Sequence, residues 1–172
     1  GGQNRNCDLE TLDVYRKRGV RLLAFAIGSP SAGAPLAVAD VACPPVVVAA
    51  LPVAIVVHGG GWVAGDRRTN VEPLFRPLLD AGLVCLSISY RLARQLPLLG
   101  EAIEDVERAV DFVRAHAAGF HIDAGRLALV GESAGAQLAA MAALGRSGCA
   151  LKAVVGLYTP SDLERLARGP GL

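Results

Sequence analysis

The chain has 172 residues, 52% of them hydrophobic and 19% charged, with a formal net charge of +1. That is enough apolar material for one packed core, and the near-neutral balance holds neither a basic stripe for a phosphate backbone nor an acidic tail, which argues against a nucleic-acid partner. The uncharged, strongly apolar run at residues 41–57 is interrupted by Pro44, Pro45 and Pro52; it falls short of the roughly 20 apolar residues that cross a bilayer and predicts two buried strands, with no membrane span.

The N-terminal GGQNRN carries neither an initiating Met nor the apolar core of a secretory signal, so the compartment stays open: cytoplasmic or, with a leader removed, secreted. Residues 20–27 are strand-like and residues 28–35 are dense in Gly, Pro and Ser, which predicts a hairpin opening the sheet. Short, wholly apolar runs follow at 53–57, 83–88, 127–130 and 153–157, the pattern of strands buried on both faces of a parallel sheet. Ile103, Val106, Val110, Val113 and Ala117 recur at helical spacing opposite Glu104, Glu107, Arg108, Asp111 and Arg114, giving an amphipathic helix. A second helix is expected from Ser133 to a stop at Gly145, and a short one at 161–168. The alternation predicts an α/β class: a doubly wound, mostly parallel sheet with flanking helices, residues 1–172 forming a single domain without an interdomain linker. Cys7, Cys43, Cys85 and Cys149 show no C-x-x-C spacing and do not cluster with the three histidines, so no metal and no cofactor is expected; Cys85, inside LVCLSI, reads as a buried thiol.

Two motifs carry chemistry. GESAG at 131–135 lies between a buried strand and a helix, where a sharp turn projects the Ser133 hydroxyl beyond the sheet. Gly131 and Gly135 are needed there because a side chain would collide with the neighbouring strand or helix. The Ala134 N–H, at the helix start, is placed to donate to an oxyanion. HGGGW at 58–62 directly follows the strand 53–57; its glycines let backbone amides approach a substrate, and Gly60 and Gly61 are the candidate donors.

With these motifs, Tyr90-Arg91-Leu92, Glu104-Asp105, and Ile122-Asp123 before Arg126-Leu127, the sequence resembles the hormone-sensitive-lipase-like and feruloyl-esterase-like branches of the α/β hydrolases, over about residues 50–160. Ala136 departs from the second glycine common at that position. The resemblance implies a serine esterase of small carboxylic esters, with Ser133 as nucleophile, and with His58, Gly59, Gly131, Glu132 and Gly135 in support. His58 would brace the oxyanion loop. A loop of this kind is shared with kynurenine formamidases, which keeps amides open as substrates.

The fold delivers its triad as Ser, then Asp or Glu, then His, and no histidine follows Ser133. Asp162, after the strand 153–157, is a weak candidate acid and equally a helix cap. The expectation is therefore the N-terminal portion of the hydrolase fold, an incomplete domain whose acid and histidine lie beyond Leu172. Two other readings stay open: a catalytically inactive hydrolase-fold module that binds a small ligand, and self-association through an exposed sheet edge.

Overall fold

The computed structural model describes residues 21–27, 37–43, 50–93, 99–145 and 151–168, with side chains from residue 50 onward except that of Glu72. Six strands form one sheet: β1 (Arg21–Ile27), β2 (Ala37–Cys43), β3 (Leu51–Val57), β4 (Val84–Ile88), β5 (Ile122–Glu132) and β6 (Ala153–Leu157), in the order β1-β2-β4-β3-β5-β6. β1 runs antiparallel to β2, from Arg21 opposite Cys43 to Ile27 opposite Ala37, as the expected hairpin requires. Its turn, 28–35, lies outside the described residues. β2 is antiparallel to β4; from β4 through β3 and β5 to β6 every pairing is parallel.

Helices α1 (Glu72–Asp80), α2 (Leu99–His116), α3 (Ala134–Leu144) and α4 (Leu163–Arg168) connect or follow these strands. The strands' period-two alternation divides the core. Val53, Ile55, Val57, Val84, Leu86, Leu127 and Leu129 pack with α2 residues such as Val106 and Val110 and with Leu138 of α3. Ala54, Val56, Cys85 and Val130 pack on the other face with Val71 and with Phe75 of α1. Both faces of β3 are therefore covered, which is why its sequence reads as one apolar run rather than an alternation. Each large side chain removed from water there contributes about 1.5–3 kcal/mol. Cys85 is fully buried and in no disulfide.

Several expectations shift. The strand expected at 127–130 extends over 11 residues. The amphipathic helix begins at Leu99 and ends at His116, and Ala117 belongs to a 3-10 turn, Ala117–Phe120. Ser133 stands before α3 rather than in it. The first strand expected within 41–57 is β2, which ends at Cys43. The strand 153–157 was expected to be buried on both faces and is not: β6 pairs only with β5, and Val154 and Val155 are 39% and 44% exposed. An apolar run records what a strand is suited to pack against, and here one side has no neighbour among the described residues.

The register brings the strand ends together. Val57 lies opposite both Ile88 and Gly131, and Glu132 opposite Leu157. The segments that begin at His58, Ser133 and Tyr158 thus leave the sheet along one edge.

Candidate active site

Ser133 occupies the turn between β5 and α3 with φ 49° and ψ −120° and is partly exposed. A non-glycine residue in such a sparsely populated region costs on the order of 1–3 kcal/mol and persists only where its surroundings enforce it. They do so from two sides. The Ser133 N–H donates to the Leu157 carbonyl at 2.9 Å, and the Ser133 carbonyl accepts from the N–H groups of Ala136 and Gln137 at 3.0 and 3.2 Å. A Cβ on Gly131 would strike the backbone of Gly135 and Ala136, and one on Gly135 would strike the carbonyls of Val57 and His58. The collisions expected from the sequence are those the backbone would suffer, with strand on one side and helix on the other. Ala136, fully buried, is the small residue that fits in place of a second glycine.

The loop after β3 closes against this turn. Gly60, Gly61 and Trp62 all have positive φ, 123°, 60° and 66°. The Gly60 carbonyl accepts from Val63 and Ala64 at 3.2 and 3.0 Å, and a Cβ on Gly60 would strike the Ala64 carbonyl, so only glycine fits. The amides of Gly60, Gly61 and Ala134 donate to no other described residue. For Ala134 this follows from helix geometry, since the first N–H groups of a helix have no intrahelical acceptor.

The side chains around the loop hold it. His58 is fully buried, its Nδ1 lies 2.6 Å from the Gly59 carbonyl, and its ring stacks on Tyr90 with centroids 4.3 Å apart. A carbonyl only accepts, so Nδ1 carries the proton, and Nε2 has no partner among the described residues. Burial pushes the His58 pKa below the usual 6.5, against the Gly59 hydrogen bond and the charges of Asp66 and Glu132. The Tyr90 hydroxyl donates to the His58 carbonyl at 3.1 Å, and burial, with Glu132 adding, raises its pKa to about 12. Trp62 Nε1–H donates to Gln137 Oε1 of α3 at 3.1 Å, and the Trp62 carbonyl accepts from Ala93 at 2.8 Å. Arg91 then fastens the segment after β4 to α2: its backbone N–H and its Nε each reach Asp105 Oδ2 at 2.9 Å, with Asp105 3% exposed.

Glu132, 8% exposed, stands between the two motifs. Its Oε2 accepts from the Tyr158 hydroxyl at 2.6 Å, and its Oε1 faces Gly59, where a Cβ would come within 2.9 Å. The hydrogen bond to Glu132 raises the Tyr158 pKa, since the bond holds the neutral phenol. Asp162 Oδ1 accepts from the Arg165 N–H at 2.8 Å, so it caps α4. His116 bonds the Phe112 carbonyl at 2.9 Å within α2, and His121 precedes β5, at the opposite end of that strand from Ser133. Among the described residues there is no cluster of His, Cys, Asp and Glu that could hold a metal ion, and no helix long and apolar enough to cross a membrane.

The structure thus brings Ser133, Ala134, Gly131, Gly135, Glu132, His58, Gly59, Gly60 and Gly61 to one sheet edge. Gln137 and Tyr158 join them without having been singled out by the sequence. Gln137 had no local signal, because its side-chain partner Trp62 lies 75 positions away. Tyr158 had none, because its contact depends on the pairing of β5 with β6.

A mostly parallel sheet flanked by helices, with a strained serine turn at its edge, defines the α/β-hydrolase class. The BD-FAE family model matches residues 39–170, and the chain belongs to that family. A probable carboxylic ester hydrolase, LipM of Mycobacterium tuberculosis, is 36% identical over 93 residues, which are 54% of this chain and 21% of LipM. The esterase LipQ of the same organism is 36% identical over 101 residues, 59% of this chain and 24% of LipQ. The structure of a hyperthermophilic esterase from the archaeon Pyrobaculum calidifontis superposes with a TM-score of 0.72 at 27% identity, covering 92% of this chain and 54% of that one. The match therefore spans about a quarter of the curated relatives' length and about half of the archaeal esterase.

Proposed function

We propose that the protein is a carboxylic ester hydrolase that acts on small esters through an acyl-enzyme on Ser133. The ester carbonyl oxygen is received by the N–H groups of Gly60, Gly61 and Ala134; Ser133 attacks, the alcohol leaves, and water releases the acid. The acid and histidine that complete the triad are assigned to sequence beyond Leu172. The observation that carries this reading is the left-handed backbone of Ser133, held between the Leu157 carbonyl and the first turn of α3 beside three amides without described acceptors. Strain of this kind at a serine between strand and helix is a cost without return unless the hydroxyl must project. The carboxylic ester hydrolases among its relatives support the same reading.

The test begins with the intact mass of the protein from its native source, compared with 17.8 kDa. The native protein is then labelled with a serine-directed fluorophosphonate and assayed on p-nitrophenyl acetate. Ser133→Ala should abolish labelling and lower kcat on the order of 10⁴-fold or more. Because no described histidine stands at Ser133, a second reading is a module that binds small ligands. Saturable ligand binding unaffected by Ser133→Ala, without labelling, would favour it.

A further inference from the structure

We infer that Tyr158, acting through Glu132, is a positioning residue that fixes the nucleophile turn against the oxyanion loop, an inference that rests on the function proposed above. Three independent features lead to it. Tyr158 is a non-glycine residue at φ 40°, it is 72% exposed, and yet its hydroxyl turns inward to a carboxylate that is 8% exposed. Among the described residues the Glu132 carboxylate is the partner of this hydroxyl, and the strained backbone is what lets the two meet. The second feature is the other carboxylate oxygen, which fills the space that a side chain on Gly59 would occupy. Gly59 immediately precedes the donor Gly60, and a shift of the carboxylate moves the peptide that carries the Gly60 N–H. The third is the main chain beside the pair: Glu132 is opposite Leu157, and Ser133 N–H donates to the Leu157 carbonyl. Tyr158 and Glu132 are thus the side-chain half of a clasp whose main-chain half already holds Ser133.

The clasp matters because two of the three proposed donors, Gly60 and Gly61, belong to one loop while the attacking hydroxyl and the Ala134 N–H belong to another. The two must keep their spacing as charge develops, and a misplacement of about 1 Å costs on the order of 100-fold in rate. Neither side chain needs to touch the substrate. Their contribution is to the geometry of Ser133 relative to Gly60, and it should appear in turnover more than in binding.

The experiment uses the full-length protein, with p-nitrophenyl acetate as substrate and a fluorophosphonate as probe. Tyr158→Phe keeps the ring and removes the hydroxyl. It should lower kcat and the labelling rate about tenfold, with KM within about twofold and an unchanged melting temperature. Glu132→Ala, or Glu132→Gln if the first is poorly folded, should lower kcat at least as much. Adding Tyr158→Phe to either should cost nothing further, because both remove one clasp. A Tyr158→Phe protein with wild-type kcat, or effects that multiply in the double variant, would overturn the inference while leaving the esterase reading intact. A wild-type protein without Ser133-dependent hydrolysis or labelling would overturn both, and that result is recognisable before any clasp variant is made.

Discussion

His58 shows how much of the site's energetics rests on a single side chain. The ring is stacked on Tyr90, its Nδ1 proton is committed to Gly59, and Nε2 is sealed off without a described partner, so protonation would add a buried donor with nothing to receive it. The folded pKa is therefore below 6.5, burial outweighing the Gly59 bond and the Asp66 and Glu132 charges. Above 6.5 both folded and unfolded chains hold the ring neutral and the residue adds no pH dependence. Below 6.5 the unfolded chain takes up a proton that the folded one refuses, so stability falls with pH, by up to about 1.4 kcal/mol per unit until the depressed value is reached. Urea unfolding at about pH 7.5 and about pH 5.5 should show this loss in the wild type and a smaller one in His58→Gln. Parallel losses in the two proteins would mean that other groups carry the acid sensitivity. The residues of the two motifs were readable as candidates because their constraints are local: in each a core strand runs into a tight turn, and at Ser133 a helix starts directly after it. Tyr158 and Gln137 were not, since their partners Glu132 and Trp62 are 26 and 75 positions away and meet them only through sheet register and helix packing.

At the scale of elements, burial rather than distance decides which ion pairs matter. Arg76 and Asp80 approach to 2.6 Å within α1, but their side chains are 58% and 60% exposed. Arg91 and Asp105 stand 2.9 Å apart with Asp105 only 4% exposed at its side chain, and they tie the segment after β4 to α2. Arg91→Ala leaves the carboxylate with its Arg91 N–H bond and Arg108 at 3.4 Å. Loss of the guanidinium should cost about 3 kcal/mol, a fall of roughly 6–12 °C in melting temperature for a domain of this size. Arg76→Ala should cost under about 1 kcal/mol. Equal shifts in thermal melts of the two variants would contradict the weight given to burial. The same scale explains what the sequence concealed. Helix α1 was not among the elements expected from the sequence; Pro73 sits in its first turn, where the missing N–H costs nothing, and Phe75 and Leu78 supply the packing that outweighs Pro77. The helix α2 was readable from its stripe, and its Glu104–Arg108 spacing is a 3.2 Å contact.

For the whole molecule, the sheet's two sides are unequal. The centre, β4-β3-β5, is covered on both faces, and its apolar runs were read correctly as buried. At β6 the same kind of run meets no neighbour beyond β5 among the described residues: Val154, Val155, Leu163, Leu166, Met141 and Leu144 are exposed, and no residue of α4 is buried. Unpaired strand groups beside exposed apolar side chains form a template for another strand. The 172-residue chain on its own should therefore self-associate at micromolar concentration, and Val154→Lys with Val155→Lys should return it towards monomer, as sedimentation velocity would record. In a longer protein whose further chain covers β6, the same lysines would be forced against apolar contacts, and the double variant should lose stability instead of gaining solubility. Opposite responses in the short and long forms would locate the partner of β6 within the same polypeptide. A short chain that stays monomeric without the lysines would show that this edge is not the template its exposure suggests.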